Sequence, residues 1–412
     1  MKKALILILS TLLVICPALS LYGCAQKFEA ASLMDGIMAK EIEKTPLTNE
    51  FTVEQMRFAL ELITEASNTN GSKNTMVSPL SVMLALSMTA NGADGNTLAQ
   101  MENVLGGDLT IDEMNNYLYS YVKGLPSNKK SNLSIANSIW FRDSKCLSVK
   151  GEFLQKNADY YGADAYKAKF DNGTVNDINS WVKKNTKGMI NKVIDSIPDT
   201  VMLYLINTIA FEAEWQSKYD KYDIREMEFT SASGEKQTVD MLCGKENKYL
   251  ELENAIGFMK DYAGGDYSFA ALLPKEGMTP DELLKTLAPE ELNSVLLSPE
   301  TVSVSTTMPA FEADYSEELS EILNTLGMTD AFGMEADFSK MSDNDLFIGS
   351  VVHKTYIKVD ASGTKAGAVT SVGAELKSAP NKSVKLNRPF LYMIVDNATG
   401  LPIFIGILNS VK

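Results

Sequence analysis

This sequence reads as an α+β chain: a single large domain with large, mostly antiparallel sheets and surrounding helices. Three observations lead there. Stripes at helical spacing and strand-like runs are mixed along the chain, without the strict alternation that builds a parallel sheet. The run 201–211 is almost continuously apolar, as in strands buried on both faces. No linker rich in proline, glycine or serine, no charge block and no internal repeat divides the 412 residues, and their 45% hydrophobic and 22% charged content is that of an ordinary globular protein.

In chain order, Thr52-Val53-Glu54-Gln55 has capping-box spacing, and Met56, Ala59, Leu60 and Ile63 follow at helical intervals. Ser78-Pro79 opens a second helix that runs through Met83, Leu84 and Leu86 to Gly92, with proline in the first turn, where its missing N–H costs nothing. Further helices are expected over 96–105, 111–125, 150–161 and 175–185, with the β-rich run 133–141 as a strand among them. The region 225–310 reads as strands around a helical interval near 280–294. Leu319, Ile322, Leu323 and Leu326 form another helical stripe, and 347–359 reads as a strand. At the C-terminus, 390–395 and 403–408 flank the turn Asn397-Ala398-Thr399-Gly400 as a buried hairpin.

Residues 1–23 stand apart. Met1-Lys2-Lys3 followed by an apolar run to Gly23 is the pattern of an export signal. A spanning helix needs about 20 apolar residues, so a retained anchor is the alternative on length. Leu21-Tyr22-Gly23-Cys24 resembles the lipobox of bacterial lipoproteins, which implies a lipid on Cys24 and an extracellular or cell-surface protein; plain secretion is the other outcome. Residues 24–47 are polar enough for a tether, and 48–412 form the domain. Cys16 leaves with the leader. Cys146 and Cys243 remain, with no spacing for a metal site or a disulfide scaffold, and whether they pair is open. The net charge of −15 comes from scattered acids; it favours solubility and leaves no basic patch for nucleic acid.

Catalytic signatures are missing. The single histidine, His353, has no G-x-S-x-G elbow to serve, and there is no HExxH, GxGxxG or Walker loop. A lone histidine in a strand-like run reads as a hydrogen-bonded core residue. Glu317-Glu318 reads as part of a solvated face, and the 20 methionines as adaptable core filler. The chain is expected to be no enzyme and to need no cofactor or metal.

Function concentrates in 360–385, a stretch of mainly small residues between two strong strand signals, well beyond the roughly 12–15 residues of an ordinary loop. By composition it is a flexible surface loop. Its alternation says more. Thr364, Ala366, Ala368, Thr370, Val372 and Ala374 are all small or apolar. The other set, Lys365, Gly367, Val369, Ser371, Gly373 and Glu375, holds both charges. No proline lies between Pro309 and Pro380, so every amide of 364–375 could join a ladder. The loop is able to become a central strand.

These features resemble the serpin family, in which a reactive loop inserts into a β-sheet after cleavage. The resemblance covers roughly 49–411. Gly363, Thr364, Lys365, Ala366, Gly367 and Ala368 look like the family's hinge, and Ser78-Pro79-Leu80-Ser81 is similar to its shutter. The run Asn207 to Trp215 looks like its central strand, with Trp215 at the breach where the sheet opens, and His353-Lys354 matches the strand leading to the loop. Leu326-Gly327-Met328-Thr329-Asp330-Ala331-Phe332 and Asn387-Arg388-Pro389-Phe390 match two further signatures.

The resemblance implies a suicide inhibitor of serine proteases, covalent and stoichiometric, acting as a monomer. A target serine attacks the bait carbonyl, the cleaved loop inserts, and the esterified protease is distorted so that deacylation fails. It implies a shutter network of Ser78, Ser81, Asn207 and His353. Counting from the hinge implies a scissile bond at Lys377-Ser378, suited to a trypsin-like target. Leu376-Lys377 is the alternative, suited to elastase-, chymotrypsin- or subtilisin-like targets. A non-inhibitory carrier or chaperone is the competing role; a bulky or proline-containing hinge would favour it, and this hinge has neither. The family commonly has acids where this chain has Ala361, Ser362 and Lys365, so a weaker hold on the exposed loop and an altered insertion rate are expected.

Overall fold

The computed structural model describes residues 28–128, 130–144, 147–364 and 382–412. Helix α1 (Asn49–Asn70) is capped by Thr48, whose Oγ1 accepts the Phe51 N–H at 3.2 Å. The capping box read at Thr52 is therefore one turn late: Thr52 lies inside the helix and donates its hydroxyl to the Asn49 carbonyl. Helix α2 (Pro79–Ala90) begins where Ser78-Pro79 predicts, and the Ser78 side chain accepts the Ser81 N–H at 3.3 Å. Every residue of α2 is buried, which explains why its apolar side chains run around the whole helix instead of forming one stripe. Helices α3 (Gly95–Gly106), α4 (Ile111–Gly124), α5 (Gly151–Tyr161) and α6 (Asn172–Asn185) follow. Capping boxes form instead at α4, between Thr110 and Glu113, and at the start of the helix that follows Thr279, between Thr279 and Glu282. The interval near 280–294 is two helices, α7 (Pro280–Leu284) and α8 (Pro289–Leu297), each opened by proline; α9 (Ser320–Leu326) is the last.

The first sheet has seven strands: β1 (Ala31–Ser32), β3 (Ser131–Arg142), β4 (Asp164–Ala168), β5 (Leu203–Glu214), β11 (Phe311–Glu318), β12 (Ser350–Asp360) and β13 (Gly363–Thr364). Their order in space is β1-β4-β3-β5-β13-β12-β11. The second sheet joins β14 (Lys382–Lys385), β10 (Glu300–Pro309), β7 (Lys236–Leu252), β8 (Ala255–Asp261), β9 (Tyr267–Pro274), β15 (Phe390–Asp396), β16 (Pro402–Leu408) and β2 (Thr75–Val77) in that order, with β6 (Ile224–Thr230) beside β7. Pairings are antiparallel except β3–β4, β5–β12 and β10–β14. Strands β9, β15 and β16 are buried along their whole length and form the core of the second sheet. Helix α2 packs against both β5 and β16, so it is wedged between the two sheets. That wedge places the N-terminus of α2 under the middle of the first sheet.

The stretch 24–47 is not a free tether from Phe28 onward. Ala31 and Ser32 pair antiparallel with Lys167 and Tyr166 of β4. The Glu29 and Ala30 N–H groups both donate to Asp177 Oδ2, and Leu33, Met34, Ile37 and Leu47 pack against the core. These apolar residues are scattered among polar ones, so the composition hides them.

Candidate functional site

The hinge begins where β5 and β12 meet at the end of the first sheet. Gly363 and Thr364 already lie between them as β13, antiparallel to both: Gly363 faces Glu214 and Asp360, and Thr364 faces Ala213 and Val359. Gly363 has φ +153°, and a Cβ there would sit 2.1 Å from the Ala213 carbonyl oxygen, so only glycine lets the chain pass. Thr364 is buried, the first member of the small-residue face read from the alternation, and its Oγ1 lies 2.6 Å from the Tyr262 hydroxyl.

At Gly363 and Thr364 the two central strands are held one strand apart, and toward the other end of the sheet they close on each other. They pair directly only at Ser350 with Tyr204 and Val351 with Leu205. Between these points no described residue pairs with the β12-facing side of β5 from Ile206 to Glu212. A narrow gap there is lined by Ile209, Ala210 and Phe211 on one side and Tyr356, Ile357 and Lys358 on the other, with Met189 and Ile190 over it. The described hinge thus ends beside this narrow gap, between β5 and β12.

Trp215, at the end of β5, is buried and stacks on Tyr262 with ring centroids 4.6 Å apart. Its backbone N–H donates to the Ser362 carbonyl at 2.9 Å and its indole Nε1–H to the Asp360 carbonyl at 2.8 Å. The Tyr219 N–H donates to the Ala361 carbonyl at 3.0 Å. With Ala361 and Ser362 before Gly363, the turn 360–362 is held by the Trp215 and Tyr219 backbone N–H groups, the Trp215 indole, and the Asp360 carboxylate, whose Oδ1 accepts the Ser362 N–H.

Below the gap, the N-terminus of α2 brings all four expected shutter residues together. The Ser78 N–H donates to His353 Nε2 at 3.0 Å, and Ser78 Oγ donates to the Ile403 carbonyl at 2.7 Å. Ser81 Oγ donates to Asn207 Oδ1. This set ties β12 (His353) and β5 (Asn207) to one helix end. Because Nε2 accepts a backbone N–H, the imidazole is neutral with its proton on Nδ1; burial pulls His353 down from its usual 6.5 to about 4. His353 is a hydrogen-bonded core residue, as its strand context suggested.

One network member escapes a reading of the motifs. Asn207 Nδ2 donates to Asn137 Oδ1 on β3, and Asn137 Nδ2 donates to the Tyr161 carbonyl at 3.2 Å. Asn137 stands directly opposite Asn207 in the β3–β5 register, so a polar residue in the middle of each of two buried strands was the available signal. Lys365, Ala366, Gly367, Ala368, Leu376, Lys377 and Ser378 lie outside the described residues, as do Cys24 and Cys146. Among the described residues no cluster of His, Cys, Asp or Glu could hold a metal ion.

This arrangement has close counterparts among known proteins. A family model described as Serpin (serine protease inhibitor) matches residues 53–411. The leukocyte elastase inhibitor of Homo sapiens is 28% identical over 385 residues, covering 86% of this chain and 97% of that protein. The crystal structure of tengpin, a thermophilic serpin, in its native state superposes with a TM-score of 0.88 at 47% identity, covering 92% of this chain and 99% of that one. The latent state of tengpin gives 0.80 at 46% identity, covering 90% and 100%.

Proposed function

The chain belongs to the serpin family, and we propose that it is a covalent, stoichiometric inhibitor of a serine protease, of trypsin-like specificity, that works by inserting its cleaved loop between β5 and β12. The observation that carries this reading is β13. The first two hinge residues already run antiparallel to both central strands, beside the narrow gap between them.

If the register of β13 continues, Ala366 meets Phe211 and Ile357, Ala368 meets Ile209 and Thr355, and Thr370 reaches Asn207 and His353. Small side chains enter the gap on the buried face, and Lys365 lies between Glu212 and Lys358 on the outer one. Each ladder bond contributes about 0.5–1.5 kcal/mol net, so a strand bonded to both neighbours gains on the order of 10 kcal/mol, comparable with the stability of a whole domain. That gain is available only after cleavage frees one end of the loop, which makes it a driving force for displacing an attached protease.

In the chemical step the target's serine Oγ attacks the Lys377 carbonyl carbon, the Lys377–Ser378 bond breaks, and Ser378 leaves with a new α-amino group. The lysine suits a pocket carrying a buried acid. Mixing the purified mature domain with trypsin, and separately with an elastase, tests this. A band at the summed mass that survives boiling in detergent, with a released fragment starting at Ser378, is expected with trypsin. A fragment starting at Lys377, trapped by the elastase, would move the bait to Leu376. Cleavage without a stable band with either enzyme would favour a carrier role.

We propose further that Cys24 is lipidated and holds the protein at the cell surface, on the support of the lipobox-like Leu21-Tyr22-Gly23-Cys24. Mass spectrometry of the membrane-fraction protein should show a lipid-modified N-terminal cysteine; a soluble product cleaved elsewhere would contradict it.

A further inference from the structure

We propose that Lys260 and Glu246 are a positioning pair that fixes the grip of Trp215 and Tyr219 on the hinge turn, and so sets how efficiently the cleaved loop enters the sheet. The proposal rests on the trap reading above and assigns regulation of that same site to two residues of the second sheet.

Lys260, near the end of β8, is only 3% exposed, and its Nζ lies 2.7 Å from Glu246 Oε1 on β7. An ammonium and a carboxylate taken out of water are costly even when paired, and an apolar residue in such a place is often as stable or more so. Bulk stability is therefore a poor account of a buried lysine here. Its surroundings give a better one. Nζ sits 4.5 Å from the centroid of the Tyr219 ring and 5.5 Å from that of Trp215, within range for attraction to both ring faces.

These are the two residues whose N–H groups hold three consecutive carbonyls of the hinge turn, Asp360, Ala361 and Ser362. Trp215 also stacks on Tyr262, whose hydroxyl meets Thr364. One buried charge thus stands against the rings of both residues that hold the hinge turn. The neighbouring charges are occupied elsewhere: Lys248 pairs with Asp261, which also accepts the Ser268 hydroxyl, and Lys218 pairs with Glu214. With Lys260 and Glu246 in place, the register of Gly363 and Thr364 is set before the protease arrives. Without them, the first inserted residues settle more slowly and more of the acyl-enzyme is hydrolysed.

The test uses the full mature domain with Lys260→Met combined with Glu246→Gln, which removes both charges and leaves no buried ion unpaired, alongside Lys260→Arg. The expected result for the double variant is an unchanged rate of loop cleavage, a roughly threefold to tenfold rise in the inhibitor consumed per protease trapped, as for a lost cation–π anchor, and recovery toward wild type with arginine. Hydrogen exchange should quicken at the Trp215 and Tyr219 amides while β15 and β16 stay protected. Trapping by the double variant with wild-type stoichiometry would overturn the proposal and leave the trap reading standing. Loss of protection throughout the domain would overturn it as well, by making the pair a general support. Failure of the wild-type protein itself to form a covalent complex would remove the trap reading and this proposal together.

Discussion

The Trp215 cluster and the Ser78 cluster, breach and shutter on the reading proposed above, both tie β5 to β12, yet they are built from opposite chemistry. The breach holds the turn 360–362 with Trp215 and Tyr219, backed by the buried ammonium of Lys260. The shutter joins the same strands through neutral groups, with Ser78 and His353 on one side and Ser81, Asn207 and Asn137 on the other. On the reading proposed here, the loop pivots at the breach and must pass the shutter. The anchored end carries charge, whose displacement in a low-dielectric interior is expensive. The yielding end exchanges one set of neutral hydrogen bonds for another at a net difference of about 1 kcal/mol each.

Four predictions test that contrast. Gly363→Val should have the largest effect, because its Cβ would meet the Ala213 carbonyl at 2.1 Å. Cleavage should continue, while the covalent complex on a denaturing gel falls about tenfold or more. The shutter's weak point is acid. His353 has a depressed pKa, so the fold favours its neutral form; that stabilisation is complete above about pH 6.5 and is lost as pH falls toward 4. The shift from 6.5 to about 4 corresponds to about 3 kcal/mol, and thermal unfolding followed between pH 7 and pH 4 should show a drop that a His353→Gln variant lacks. Asn207→Ala leaves Ser81 and Asn137 without their partner and should cost about 1–3 kcal/mol by denaturant unfolding, with trapping retained. Lys365→Glu should have the smallest effect, slowing insertion by a few-fold as a carboxylate passes Glu212, a change visible in stopped-flow kinetics and absent from the unfolding curve.

The same contrast separates what was legible in the sequence from what was not. Thr364 could be read as the start of a period-two run of small residues, a local pattern, while Gly363 came from the resemblance to a family hinge; Ser78-Pro79 could be read because a helix start is local too. The shutter residues came from short motifs in family order, and the structure joins them at one helix end. Asn137, Tyr219, Glu246, Lys260 and Tyr262 were missed because each matters only through a residue distant in the chain. Lys260 lies 45 residues from Trp215 and, in sequence, looks like an ordinary strand lysine. Its burial follows from the Trp215 and Tyr219 rings packing against it, which no window of residues displays. The docking of 28–47 was hidden for a similar reason: Leu33, Met34, Ile37 and Leu47 follow no single period, since they cross several elements of the surface.

The most direct test of the central claim is hydrogen exchange on the protein before and after cleavage of the loop at Lys377. Insertion predicts that the amides of 206–212 on β5 and 352–358 on β12 that face the gap become strongly protected after cleavage, together with those of 365–374. Unchanged exchange in those two strands, with the cut loop still exchanging freely, would contradict it.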